Sequence, residues 1–348
     1  MLKHSFYNDY SEGAHPRLLE ILAQTNYTQE SGYGEDNLSR QAAAHIQKAL
    51  GSPQAAVHFV SGGTQTNMIA LAAALKPYES VIGAETAHIH VHEAGAVEAT
   101  GHKINIVPTK DGKLTPAMVE AVWAYHTDEH MVKPRVVFIS NASEVGTIYT
   151  RGELDPLSQV CRARGLYLYM DGARLGSALV SPQNDLNLAD LARLVDMFYI
   201  GGTKNGALLG EALVITNPVL QADFRYHLKQ HGALLAKGRL LGSQFLGLFE
   251  GDLYFELARH ANRMAFKLAE AIGGLGFAFL APPATNQLFP ILSDALIAAL
   301  QAEYGFYIWS RVDAERSAIR LVTSWATPEA KVDEFIADLR RLAAVSQR

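Results

Sequence analysis

Lys204 stands in the run Phe198-Tyr-Ile-Gly-Gly-Thr-Lys204-Asn-Gly-Ala-Leu-Leu-Gly-Glu-Ala, an apolar, glycine-flanked turn between two short β-prone runs at 196–200 and 212–216. Apolar surroundings disfavour the ammonium form, lower the lysine pKa and leave free amine to attack a carbonyl. A lysine at a loop tip would keep its ammonium in water, and what separates the two readings is Asp171. The segment Leu166-Tyr-Leu-Tyr-Met-Asp171-Gly-Ala-Arg174 reads as a buried strand that ends in an acidic residue. In a parallel sheet, groups at the carboxyl ends of strands converge on the ligand crevice. A carboxylate and a lysine on nearby strand ends suit pyridoxal 5'-phosphate: the carboxylate keeps the pyridinium nitrogen protonated and the lysine forms the Schiff base.

That cofactor also needs a phosphate cradle. Residues 56–60 read as a strand, Ser61-Gly62-Gly63 as a turn, and the run from Thr64 to Leu75 as a helix of strong helix formers. Such a turn offers free amides and the positive end of a helix dipole to an anion. The pattern matches neither the dinucleotide fingerprint nor the Walker motif, so its weight comes from standing beside Lys204 and Asp171. Arg174 follows Asp171 by three residues, and its guanidinium can take a substrate carboxylate in a two-bond fork that lysine does not reproduce. Arg320, in Ser317-Ala-Ile-Arg320-Leu-Val, faces the opposite side of a strand from Ile319 and Leu321, either as an exposed residue or as a second arm of the clamp.

His88, His90 and His92 alternate with Ile89 and Val91. On a strand the three imidazoles would share a face and could hold zinc, with Glu93 and His102 as further ligands. On a helical turn they splay apart and that possibility lapses. His88 alone has two readings, a core histidine bonded to backbone or a ring stacked on the cofactor, where its reference pKa near 6.5 suits proton transfer.

The elements that must position these residues alternate between about 55 and 217. Strand-like runs at 80–83, 103–107 and 135–140 are interleaved with helical runs starting at 115, at 156–164 and at 188–194, the pattern of a mainly parallel sheet covered on both faces. From 253 to 272 the chain reads as one long helix, then a glycine and proline-rich segment, then mixed elements ending in a helix at 331–344. This shift divides the chain into an amino-terminal arm (1–20), a large cofactor-binding domain (21–250) and a small carboxyl-terminal domain (251–348). A chain of 348 residues that is 49% hydrophobic can bury cores of that size. The net charge of −5 and the absence of a long basic run argue against nucleic acid or an anionic membrane as the main partner. One cysteine, Cys161, excludes an internal disulfide and reads as a small core residue. The first residues lack the apolar stretch of a secretory signal, and prolines 282, 283 and 290 break the longest apolar region, so cytoplasmic residence is expected.

The four segments Ser61-Gly-Gly-Thr-Gln-Thr-Asn67, Thr86-Ala-His88-Ile-His-Val-His-Glu93-Ala-Gly95, Asp171-Gly-Ala-Arg174 and Gly202-Thr203-Lys204-Asn-Gly206 together resemble the threonine aldolase family, over nearly the whole chain. The resemblance implies the aspartate aminotransferase-like fold of pyridoxal phosphate enzymes: a mainly parallel seven-stranded sheet flanked by helices, with a smaller α/β domain. It implies that Gly62, Gly63, Thr64 and Thr203 contact the cofactor, that His88 stacks on its ring, and that Asp171 and Lys204 act on it as above. It gives Arg320, Arg174 and Asn8 to the substrate carboxylate, and Lys237, or Lys229 or Arg239, to a phosphate across a subunit interface in a dimer or tetramer. One departure concerns the hydroxyl base. Where many relatives have Glu-Asn-Thr-His, the matching stretch of this chain is Ser140-Asn141-Ala-Ser143-Glu144-Val-Gly146, without the histidine, which leaves His88 as first candidate. The implied reaction is cleavage of threonine or allo-threonine to glycine and acetaldehyde, with no preference between the two readable from motifs. The competing functions are β-elimination on the same cofactor, a metal-dependent protein built on His88, His90 and His92, and an inactive scaffold.

Overall fold

The computed structural model describes residues 2–346. In chain order its strands are β1 (His4–Ser5), β2 (Ala56–Val60), β3 (Glu79–Ala84), β4 (Lys103–Val107), β5 (Lys133–Ser140), β6 (Tyr167–Asp171), β7 (Met197–Gly201), β8 (Glu211–Ile215), β9 (Gln287–Leu288), β10 (Ile291–Ser293), β11 (Tyr304–Gly305), β12 (Tyr307–Arg311) and β13 (Arg316–Val322). Seven form the central sheet in the order β2-β8-β7-β6-β5-β3-β4. All neighbours pair in parallel except β8, which runs antiparallel to both β2 and β7. The aminotransferase-like sheet expected from the motifs is therefore present. Its single reversed strand follows from the short connection 202–210, which turns the chain straight back and carries Lys204.

The strands are buried on both faces, as the continuous apolar runs require. Leu168 and Met170 of β6, Phe198 and Ile200 of β7, and Ala212 and Val214 of β8 join one core. Their alternates Tyr169, Met197, Tyr199, Leu213 and Ile215 join the other. Helices Asn37–Leu50, Arg151–Arg164 and Arg239–Phe249 cover the first face, and Gly63–Ala74 and Phe224–Gln230 cover the second. Helix starts obey local chemistry: Asp36 accepts from the Ser39 amide at 2.7 Å, and Gly51 closes that helix in the left-handed region. The helix expected from residue 156 begins at Arg151, because Thr150 and Glu153 form a capping box one turn earlier and Pro156 is absorbed within the helix. Cys161 lies in the first core, where burial pushes its thiol up to about 12.

A third core gathers Phe6 with residues of the long helix Leu253–Gly274, of Asp294–Gln301, of β13 and of Glu329–Ser346. Here β10, β13 and β12 form an antiparallel sheet, with β9 on β13, and the amino-terminal β1 pairs in parallel with β11. The Val322 amide donates to the Phe6 carbonyl at 2.9 Å. The start of the chain is thus fixed against its carboxyl-terminal third, and residues 7–15 lead from there to the central sheet. Among the described residues no helix is long and apolar enough to cross a membrane.

Candidate active site

Asp171 ends β6 and Lys204 lies in the turn after the neighbouring β7. The two segments touch: a Cβ on Gly172 would stand 1.8 Å from the Tyr199 carbonyl oxygen, so only glycine allows this approach. The Asp171 side chain is buried, and both its oxygens accept hydrogen bonds. Its Oδ1 accepts from the Tyr199 hydroxyl at 2.6 Å and the Ala173 amide at 2.9 Å, and its Oδ2 accepts from Asn67 Nδ2 at 3.0 Å. Burial and the nearby Arg174 hold the Lys204 ammonium below the ordinary lysine pKa.

A cavity of about 300 Å³ is lined by Tyr10, Ser61, Gly62, Gly63, Thr64, His88, Asp171, Ala173, Tyr199, Thr203, Lys204, Leu209 and Glu211. Helix Gly63–Ala74 opens onto it with Gly62 as its cap and no side chain satisfying its first amides. Those amides therefore remain available to an anion. A Cβ on Gly63 would lie 3.1 Å from the Tyr199 hydroxyl, so a larger residue here would press on the group that holds Asp171. The Thr203 hydroxyl accepts from the Gly210 amide at 2.9 Å and closes the lysine turn. Glu211, the first residue of β8, accepts from the Gly202 amide at 2.9 Å, and burial pushes its carboxyl up to about 7.

His88 begins the short helix His88–Val91, so the histidine run is a helical turn and not a strand. His90 and His92 are exposed, and among the described residues no three His, Cys, Asp or Glu side chains converge to hold a metal ion. The shared face on which the zinc reading rested does not form. His88 Nδ1 lies 2.8 Å from Glu93 Oε1, and the same oxygen accepts from Asn67 Nδ2 at 2.8 Å. Burial, the largest single influence, opposes charge on the His88 ring, but the bond to Glu93 together with the charges of Glu144 and Asp171 outweighs it, and the pKa rises above the ordinary histidine value.

A second cavity, about 420 Å³, adjoins the first and shares Tyr10, His88 and Lys204 with it; His92, Glu144, Arg174, Tyr307, Ile308, Trp309 and Arg320 complete it. Arg174 is buried and held by Asp9, with Nε donating to Oδ2 at 2.8 Å and Nη2 to Oδ1 at 3.0 Å, while Asn286 donates to the same carboxylate at 2.8 Å. Arg320 projects from β13 away from Ile319 and Leu321, which lie in the third core. Its Nη2 donates to Gln287 at 2.8 Å and its buried Nε has no partner. Burial and the facing Arg174 bring its pKa down to about 10.

Asn8 is not part of either lining. Its carboxamide oxygen accepts from the Tyr10 amide at 3.0 Å and the Ser11 hydroxyl at 2.9 Å, which shapes the arm into a turn. The adjacent Asp9 and Tyr10 reach the site instead. Lys229 lies 4.6 Å over the Tyr33 ring, and Arg239 donates to the Thr28 and Asn26 carbonyls. Lys237 is exposed and belongs to neither cavity of its own chain. Asp9, Asn67, Tyr199 and Glu211 had no role in the sequence reading. Of these, Asn67 sat inside a recognised motif and Glu211 inside the lysine turn, whereas Asp9 gave no local signal.

A sequence profile described as β-eliminating lyase matches residues 13–295. The low specificity L-threonine aldolase of Pseudomonas aeruginosa is 36% identical over 339 residues, covering 96% of both chains. The chain belongs to the threonine aldolase family, within the β-eliminating lyases. A solved Leishmania major threonine aldolase superposes on this family member with a TM-score of 0.96 at 50% identity, over 98% of this chain and 99% of that one. An aspartate aminotransferase of Thermus thermophilus, 17% identical with a TM-score of 0.72 over 98% of this chain and 91% of its own, shares the fold. The threonine aldolase resemblance carried by the four motifs is borne out.

Proposed function

We propose that this protein cleaves L-threonine and its allo form to glycine and acetaldehyde with pyridoxal 5'-phosphate as cofactor. The observation that carries this reading is the joint cavity. Lys204, Asp171 and an uncapped, glycine-led helix end surround one compartment, and two arginines with donors to spare flank the next. The residues fit the cofactor: an anion would fill the amides at Gly63 and Thr64, and Asp171 presents a carboxylate fixed by three donors. When bound, pyridoxal phosphate supplies an electron sink for the pair left as the Cα–Cβ bond breaks.

The chain's own residues do the rest. Lys204, whose ammonium is disfavoured by burial, is the residue that would hold the cofactor through its carbonyl until a substrate amine took its place. Arg320 turns its unpaired Nε to the substrate carboxylate, and Arg174, held rigid by Asp9, supplies its remaining Nη. This grip sets which bond at Cα is broken. His88, at the junction of the compartments, receives the β-hydroxyl proton as acetaldehyde leaves, and a proton returned to Cα gives glycine. Asp171 favours the charge that develops in between, more than the substrate itself. Cytoplasmic residence and assembly as a dimer or tetramer belong to the same proposal; exposed Lys237, which lines neither cavity of its own chain, is the residue offered to a neighbouring protomer's phosphate.

The test is proton NMR of L-threonine incubated with the protein and pyridoxal phosphate, with Lys204→Ala as control. Glycine and acetaldehyde from the parent protein and none from the variant are expected. Accumulation of 2-oxobutyrate would replace aldol cleavage by elimination, and full turnover by Lys204→Ala would remove the lysine from the mechanism.

A further inference from the structure

Four side chains spread over a span of 104 positions in the sequence form one hydrogen-bonded chain: His88, Glu93, Asn67 and Asp171. Its orientation is fixed from within. Asn67 is fully buried, its carbonyl oxygen accepts from the Tyr169 hydroxyl at 2.8 Å, and its amide nitrogen donates to both carboxylates. Turning the amide over would point its oxygen at two carboxylates and its N–H at a phenol, so one orientation is allowed. Glu93 Oε1 then accepts from Asn67 and from His88, which requires the His88 proton to sit on Nδ1 and leaves the Nε2 lone pair free. The second oxygen of Glu93 is buried without a partner. A side chain that leaves a buried carboxylate oxygen unpaired costs stability.

We propose that Glu93 is a positioning residue of the active site: it fixes His88 in the tautomer whose bare Nε2 can accept a proton, and through Asn67 it locks the imidazole and Asp171 into one rigid unit. This rests on the reading of His88 as the base for the substrate hydroxyl. The arrangement has a mechanical consequence. The two groups that would bracket a bound cofactor ring, one at its edge and one at its face, are braced by a single amide, so displacing either strains the other. The groups facing His88 are Glu93, Glu144, Asp171, Lys204 and, 5.4 Å away, the ring of His92. Glu93 is the one among them in direct hydrogen-bond contact with the imidazole.

Glu93→Gln separates the parts of this role. Asn67 Nδ2 holds an acceptor at the Oε1 position, so glutamine enters with its carbonyl there, keeps the Nδ1–H tautomer and removes only the charge. Glu93→Ala removes both. Nitrogen-15 NMR of the imidazoles in the cofactor-free protein, with His88→Gln to assign the His88 signals, reads the ring without any turnover. The expected result is an Nδ1–H tautomer for His88 in the parent protein, the same tautomer with a pKa at least about half a unit lower in Glu93→Gln, and a mixed tautomer in Glu93→Ala. In the loaded enzyme kcat on threonine falls about 10-fold to 100-fold in Glu93→Ala with KM moved less than about 3-fold. Glu93→Gln melts within a few degrees of the parent, and this guards against misfolding of the alanine variant. A His88 signal with unchanged tautomer and pKa in both variants would overturn the proposal, as would an Nε2–H tautomer in the parent protein. If the parent protein fails to cleave threonine, the NMR titration still decides for or against Glu93, so the two readings fail separately.

Discussion

The two compartments of the site are finished to different degrees. In the one bounded by β6, β7 and the Gly63–Ala74 helix, both oxygens of Asp171, both ends of Asn67 and the Tyr199 hydroxyl have partners, and what stays open is the second oxygen of Glu93 and the first amides of the helix. In the one bounded by β12 and β13, Arg320 Nε is buried and unpaired, and Tyr307 and Ile308 on the edge strand are about half exposed. A satisfied polar lattice is stiff and holds one geometry. An unsatisfied donor beside exposed apolar side chains awaits a ligand. The contrast fits a protein whose chemistry is set by the first compartment and whose choice of amino acid is set by the second.

The sharpest way to break that division is Asp171→Ala, which removes the charge at the centre of the finished compartment. Its contribution is greatest where negative charge develops, so kcat is expected to fall by about 10²-fold to 10³-fold with little change in KM. Steady-state kinetics on threonine check this, and a variant that kept its kcat and lost only affinity would assign Asp171 to binding.

The same compartment contains a second carboxyl whose effect falls on stability. Glu211 has its carboxyl pushed up to about 7 by burial, against an ordinary value of 4.5. The folded state therefore binds this proton more tightly than the unfolded chain. The stability so gained is complete below about pH 4.5 and is lost as pH rises through 7. In the cofactor-free protein, Glu211→Gln should remove that loss, so that the variant gains on the parent by roughly 3 kcal/mol between pH 5 and pH 8. Urea unfolding at the two pH values measures the difference. A gap of equal size at both would mean that Glu211 is ionised throughout.

The finished compartment was also the more legible of the two. Apolar runs broken by Asp171 and by the glycine turn at Lys204 are local signals, and strand periodicity alone sends both residues to one edge of a parallel sheet. The Arg174–Asp9 pair and the closeness of Arg174 to Arg320 depend on contacts across 165 and 146 positions of sequence, built by β1 pairing with β11 and by β13, a strand of the third core, bringing Arg320 to the second cavity. No spacing rule contains such contacts: the resemblance points to Asn8, and its neighbour Asp9 is the residue that holds Arg174. The histidine run shows the converse case, in which local pattern leaves strand and helical turn open and the resemblance favours the turn that forms. Alternation over five residues fits a strand, but Ala87 begins a helical turn after β3, and four residues are too few for periodicity to tell the two apart.

The unfinished compartment makes the smaller and more selective prediction. Replacing Arg320 by leucine removes a charged donor whose hydrogen-bond partner is the Gln287 side chain and whose guanidinium lies 5.6 Å from the centre of the Trp309 ring, so the fold loses little, while the substrate carboxylate loses a charge-assisted bond. KM for threonine should rise about 10-fold to 100-fold with kcat changed far less. Arg174→Leu offers the contrast within the same cavity. It leaves Asp9 buried with only Asn286 to bond it, so this variant should be destabilised as well as impaired. If Arg320→Leu instead lost kcat at unchanged KM, the second compartment would be part of the chemistry and the division between the two would fall.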